Sequence, residues 1–168
     1  MRILVSALSR AISGGAETYL RALLPHLAAA GHHLSLFTEH GAVADGAERL
    51  DAGAPGLELL DAAELGPTGA LARARDFRPD VVFHHGFVDA ALEAALVRAF
   101  PTALYAHAYY GTCLSGTKLL SFPEPEPCRH PFTAACLVRY FPRRCGGRDP
   151  RKMWEGYRLQ RARREHLP

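Results

Sequence analysis

Ile3-Leu4-Val5-Ser6-Ala7-Leu8-Ser9-Arg10-Ala11-Ile12-Ser13-Gly14-Gly15-Ala16-Glu17 decides the fold. The run Ile3–Leu8 is apolar without alternation, the pattern of a strand covered on both faces. A polar, Gly-containing turn follows, and then a helix is predicted from Ala16 to about Ala30. Its apolar residues, Tyr19, Leu20, Leu23, Leu24 and Leu27, recur at helical spacing. Pro25 lies inside it and is expected to bend it or loosen one turn. Gly31 stands where a helix C-terminal cap belongs.

Outward from this unit the alternation continues. Strands are predicted at Leu34–Thr38, Leu57–Leu60, Asp80–His84 and Thr102–Ala106. Helices are predicted at Gly69–Phe77 and Val88–Phe100, the latter with Leu92, Leu96 and Phe100 on one side. Gly41–Gly56 reads as loop with a short helix. Short apolar strands alternating with helices predict an α/β fold with a parallel sheet flanked by helices, Rossmann-like. Ligands of such sheets bind beyond the carboxyl ends of the strands.

After Ala106 the periodicity stops. Residues 107–149 hold all four cysteines, many prolines and paired glycines, an irregular insert of the kind that is functional or stapled. Asp149-Pro150 then reads as an N-cap followed by proline in the first turn, opening a C-terminal helix over 150–168. The expected organisation is one domain: an α/β core over 1–106, the cysteine insert, and a basic helix.

Composition bounds the function. The chain has 168 residues, 48% hydrophobic and 22% charged, which suits one globular domain and not two. The net charge of +3 names no nucleic-acid partner, because the excess is local. Arg151–Pro168 carries six Lys/Arg against two Asp/Glu, leaving fourteen basic against fifteen acidic residues in the first 150. Arg158, Arg161, Arg163 and Arg164 make a solvated helix face or meet an anionic lipid or phosphorylated acceptor. No run reaches the roughly 18 apolar residues that span a bilayer. The N-terminal apolar run stops at Ser9-Arg10, so it is read as a strand and not a signal peptide. The expected location is cytoplasmic, including the inner face of the membrane. There cysteines are thiols or metal ligands rather than disulfides.

The candidate chemistry lies at strand ends. Gly14 and Gly15 let backbone N–H groups approach an anion at a helix N-terminus. Their spacing is neither that of the dinucleotide fingerprint nor that of a P-loop. His84 and His85 end a strand and are candidates for an acceptor hydroxyl. The alternative is one buried, hydrogen-bonded histidine and one exposed. Cys113, Cys128, Cys136 and Cys145 are candidate ligands of a structural zinc, though they lack paired C-x2-C knuckles; plain buried thiols are the other reading.

Gly14-Gly15-Ala16-Glu17, the leucine-rich helix after it, and Gly31-His32 before a strand ending at Thr38 together resemble the opening of family 4 glycosyltransferases. Arg78-Pro79-Asp80-Val81-Val82-Phe83-His84-His85 resembles the family's next landmark. Thr102-Ala103-Leu104-Tyr105-Ala106-His107 resembles a third, and the segment from His107 to Gly147 is similar to the cysteine-containing insert of some bacterial members. The resemblance implies the N-terminal half of a GT-B fold, in a retaining enzyme that moves sugar from a nucleotide-sugar to a glycan or lipid-linked acceptor. It implies that this half binds the acceptor, that Gly14 and Gly15 meet the donor diphosphate, and that catalytic His107 lies near the donor sugar. It implies no metal for catalysis. The family's E-x7-E pair belongs to a second, donor-binding domain that this sequence lacks, so a second domain or chain is the expected partner. A non-catalytic Rossmann-like binding module with a zinc-stapled loop, or an inactive fragment, is the competing reading. A dinucleotide-dependent oxidoreductase is a weaker third, with Glu39 as its lone candidate for the acidic residue.

Overall fold

The computed structural model describes residues 1–54 and 56–167. Pro55, in the expected loop Gly41–Gly56, and Pro168, at the end of the expected basic tail, lie outside the described residues. The chain divides into two compact units, Met1–Tyr105 and Ala106–Pro168.

The first unit is a five-stranded parallel sheet with helices on both faces. Its elements are β1 (Arg2–Ser9), α1 (Gly15–Ala29), β2 (His33–His40), a 3₁₀ turn at Leu50–Gly53, β3 (Glu58–Asp61), α2 (Ala62–Phe77), β4 (Val81–His84), α3 (Ala90–Ala99) and β5 (Thr102–Leu104). The strand order is β3-β2-β1-β4-β5 and every pairing is parallel. This is the Rossmann-like order the alternation predicts. It reverses direction at β1, between β2 and β4, which makes the carboxyl ends of β1 and β4 the expected crevice.

Period-2 geometry explains why β1 is apolar throughout. Ile3, Val5 and Ala7 join Leu20 and Leu24 of α1 and Leu34 and Leu36 of β2 on one face. Leu4 joins Phe37, Val82, Leu71 and Ala74 of α2, and Leu92 and Leu96 of α3 on the other. Each fully buried leucine contributes about 1.5–3 kcal/mol relative to exposure, so a polar residue anywhere in Ile3–Val5 would cost one core or the other.

The helix ends follow local chemistry. α1 runs through Pro25, so the expected bend does not interrupt it, and it stops where Gly31 adopts φ +80°. Of its predicted face, Leu20 and Leu24 are buried and Tyr19 is exposed. α2 starts at Ala62, earlier than the pattern predicts. Asp61 caps it by accepting from the Ala63 N–H at 2.9 Å. Gly66, at φ 72° before Pro67, breaks the helix geometry, which hides the first turn from a periodicity reading. Asp89 caps α3 by accepting from the N–H groups of Ala91 and Leu92.

The second unit has little regular structure. It contains the antiparallel pair β6 (Leu119–Leu120) and β7 (Glu126–Pro127), the short helix α4 (Ala135–Tyr140) and helix α5 (Pro150–Arg163). Asp149 caps α5 at the Arg151 N–H with Pro150 in the first turn, as the sequence predicts. α4 is not evident in the sequence because it is only six residues long. The core of this unit is small: Leu114, Phe132 and Tyr140, with Cys136, Leu137, Cys145, Met153 and Tyr157 packed against them. The basic helix is not uniformly a solvated face. Arg163 is buried with its guanidinium 4.2 Å from the Tyr110 ring centroid, and Arg164 donates to the Phe132 carbonyl. Among the described residues, no helix is long and apolar enough to cross a membrane.

A glycine contrast tests this packing. A Cβ on Gly41 would lie 1.8 Å from Asp61 Oδ2, so Gly41→Ala must displace the α2 cap. It is expected to destabilise by about 1–3 kcal/mol. Gly69, inside α2, meets only Leu65 Cβ at 3.5 Å, and Gly69→Ala is expected to stabilise by about 0.5–1 kcal/mol. Thermal unfolding of the two variants measures both.

Candidate functional site

The turn between β1 and α1 is pinned from outside. Arg10 Nε and Nη2 donate to the two carboxylate oxygens of Asp51, both at 2.8 Å. The Leu50 N–H donates to the Arg10 carbonyl, the Ile12 N–H to the Glu48 carbonyl, and Ala11 forms a bridge with Arg49. The Arg10 hydrogen bond holds the Asp51 carboxyl below its ordinary value, against a smaller opposing effect of burial. This pinning sets the chain up to Gly14, which N-caps α1 in extended conformation with no side-chain cap. Gly14 and Gly15 are exposed, and a Cβ on Gly15 would meet nothing within 4 Å. The first turn of α1 is thus exposed at Gly14 and Gly15, at its positive dipole end, with the buried Glu17 carboxylate beside Gly14.

His84 and His85 point to opposite faces of the sheet, as adjacent residues at a strand end must. His84 is fully buried on the α3 side. Its Nε2 is 3.0 Å from Glu93 Oε1 and its Nδ1 is 2.5 Å from Ser6 Oγ. The Glu93 carboxylate accepts, so Nε2 carries the proton and Nδ1 accepts from the Ser6 hydroxyl. The order Ser–His–Glu has the connectivity of a hydrolytic triad, but all three side chains are wholly excluded from solvent. The arrangement is a brace. Glu93 Oε1 also accepts from the Phe87 N–H at 3.0 Å, and Glu39 accepts from the N–H groups of Val88 and Asp89. Two buried carboxylates thus fix the loop that leaves β4.

His85 lies on the α1 side. Its ring stacks on Tyr105 at 5.4 Å and 20°, and meets Phe83 edge-on at 4.4 Å. Tyr19 of α1 stacks on Tyr105 at 5.1 Å and approaches His85 at 6.1 Å. His85 is buried while Tyr19 and Tyr105 are 38% and 41% exposed. The histidine therefore backs a partly open aromatic surface one turn along α1 from Gly15. The alternative of one buried and one exposed histidine does not hold: both are buried, in different environments.

Sequence reasoning does not identify Tyr19, Tyr105, Ser6 or Glu93 as site residues, and it considers Glu39 only as a dinucleotide-binding acid, whereas Glu39 accepts from the Val88 and Asp89 N–H groups. Tyr19 was placed on the core face of α1. The period-2 rule, applied to His84-His85, contained the signal that they could not act together.

In the second unit, His107 is exposed. The four cysteines are free thiols, and all line one cavity of about 20 Å³ together with His130 and Arg139. As the side chains stand, no three His, Cys, Asp or Glu among the described residues are placed to hold a metal ion. Burial pushes the Cys113 thiol up. Hydrogen bonds from the Ser115 hydroxyl and from the backbone N–H groups of Lys118, Ser115 and Gly116 outweigh it and bring the thiol below its ordinary value.

Two measurements check the two ends of the site. A carboxylate with a depressed folded pKa gives stability that is present above its unfolded value near 3.8 and lost as pH falls through the lower folded value. Asp51→Asn is therefore expected to flatten the fall in Tm as pH drops below about 4. Glu93→Leu leaves the His84 Nε2–H and the Phe87 N–H buried without their acceptor, at about 1–3 kcal/mol each. Chemical denaturation is expected to show that loss.

Comparison with known proteins agrees with this geometry. Neither a search of curated proteins nor one of solved structures found a match. The model of one family, Glycosyltransferase Family 4, matches residues 13–164, which takes in the Gly14-Gly15 turn, the strand-end histidines and the cysteine segment. A parallel sheet of this order, an open helix N-terminus at its reversal point and a family match over most of the chain lead to one conclusion: this chain is a glycosyltransferase domain and belongs to Glycosyltransferase Family 4.

Proposed function

We propose that this domain is the acceptor side of a retaining glycosyltransferase that takes its sugar from a nucleotide-sugar, completed by a second domain or chain that holds most of the donor. The observation that carries this reading is the convergence of the uncapped N-terminus of α1 with the Tyr19–His85–Tyr105 stack at the carboxyl ends of the strands. The two features suit the two halves of a sugar-transfer reaction. Backbone N–H groups at Gly15 and Ala16, with the helix dipole behind them, stabilise the negative charge that develops on a departing diphosphate. Glycine at position 15 leaves the space that such a group needs. The exposed faces of Tyr19 and Tyr105 offer flat apolar contact for the C–H face of an acceptor sugar.

In this reading His85 contacts the acceptor as the backing ring of that surface. His84 acts through the β4 loop and touches no substrate. His107 keeps its place beside the donor sugar on the resemblance alone. The acceptor is a glycan or a lipid-linked glycan at the inner face of the membrane, where the exposed Arg158 and Arg161 of α5 would meet anionic headgroups.

NMR titration of the chain with UDP- and GDP-sugars and with oligosaccharides tests this. Donor binding is expected no tighter than about 1 mM, with shifts confined to Gly14, Gly15 and their neighbours. Gly15→Trp is expected to remove it without lowering Tm. Tyr105→Ala is expected to weaken oligosaccharide binding by up to about tenfold, the size of one ring contact. Micromolar donor binding by this chain alone, or shifts at the opposite end of the sheet, would overturn the reading.

A further inference from the structure

The chain contains four cysteines, and all four line one small cavity of the second unit. They come from separate places: Cys113 from a turn, Cys128 from just after β7, Cys136 from α4 and Cys145 from the turn beyond α4. Chance burial of small hydrophobes scatters cysteines through a core. Here the large apolar clusters of the first unit contain none. The cavity, about 20 Å³, has room for roughly one water-sized sphere.

The local backbone supplies a second, independent observation. The Lys118 N–H donates to Cys113 Sγ at 3.4 Å, and the Ser115 hydroxyl lies 3.4 Å from the same sulfur. A neutral thiol is a weak acceptor. A backbone N–H and a hydroxyl grouped on one sulfur suit a thiolate better than a thiol. The turn that aims them needs Gly116 at φ +77° and Lys118 at φ +53°. Basic side chains lie alongside: Arg139 lines the cavity, and Lys118 anchors the neighbouring loop by donating to the His130 carbonyl.

We propose that Cys113, Cys128, Cys136 and Cys145 bind one zinc ion as a closed, structural four-thiolate site. Soft thiolates in a tetrahedral set select a d¹⁰ ion, and a site with four protein ligands leaves no position open for catalysis. Binding displaces four thiol protons to solvent, and the sulfurs, which do not form a metal-holding group as they stand, must move to reach the ion. The site ties together a turn, a hairpin and a helix in a unit whose apolar core is three buried residues. Units with so little core need such a staple. His130 lines the cavity but is not a ligand in this assignment.

Metal analysis of the full chain, purified without a metal-affinity step, is expected to give about one zinc per chain. Replacement by Co²⁺ is expected to give the visible d–d bands of a tetrahedral site and sulfur-to-cobalt charge transfer in the near ultraviolet. His130→Ala should leave both spectra unchanged, and Cys128→Ser should abolish stoichiometric zinc. If Cys128→Ser does not fold, Co²⁺ titration of the wild-type chain under reducing conditions still decides the matter. Absence of metal together with absence of a tetrahedral Co²⁺ spectrum overturns the proposal. So does intact mass showing two disulfides in the chain as isolated, and loss of metal in His130→Ala overturns the four-sulfur assignment.

Discussion

Glu93 is a carboxylate with no solvent exposure, and it takes hydrogen bonds from the His84 ring and from the Phe87 backbone. A polar group buried this deeply is tolerated only when it is hydrogen-bonded. Those two donors can reach it only when α3 is docked, β4 is in register and the intervening loop follows one path. Ser6 extends the constraint to β1 through His84 Nδ1, and Glu39 extends it to β2 through Val88 and Asp89. Three adjacent strands and a helix are thereby held at their carboxyl ends, where a Rossmann-like sheet places its ligands. The large apolar clusters supply most of the stability of this unit, but they are non-directional. The buried polar brace supplies the directionality.

Buried side chains close the α3 side of β4, and the α1 side is partly open. There Gly14 and Gly15 begin a helix that no side chain caps, and the Arg10–Asp51 pair holds the approach to it. Two loops are rigid for different reasons, one through buried carboxylates and one through a paired charge at the surface. The Tyr19–His85–Tyr105 surface lies within the same unit. The cysteine-bearing segment solves a different problem. It is a short irregular chain with a small apolar core, and its four cysteines line one cavity.

Much of the fold was legible because it rests on period and punctuation. The apolar run Ile3–Leu8, the helical spacing of Leu20 and Leu24, Gly31 after α1 and the Asp149-Pro150 start of α5 each report a local constraint. The start of α2 was not legible, because Gly66-Pro67 masks a helix that Asp61 nevertheless caps. α4 was not legible either, since six residues make less than two turns of pattern. The site was half legible. The glycine turn and the strand-end histidines were found, but the partners of those histidines were not. Ser6 and Glu93 lie 78 residues and nine residues from His84 in sequence, and nothing local marks either as its partner.

The sequence by itself determined the α/β class, the strand and helix succession of the first unit and the family, because apolar periodicity and turn chemistry are properties of neighbouring residues. The tertiary structure alone decided which histidine is sealed and which backs an aromatic surface, which of the α5 arginines are buried or bonded into the second unit, and that four scattered cysteines share one cavity. Those outcomes depend on which faces of distant segments meet. Strand order and packing set that, and a one-dimensional pattern does not contain it.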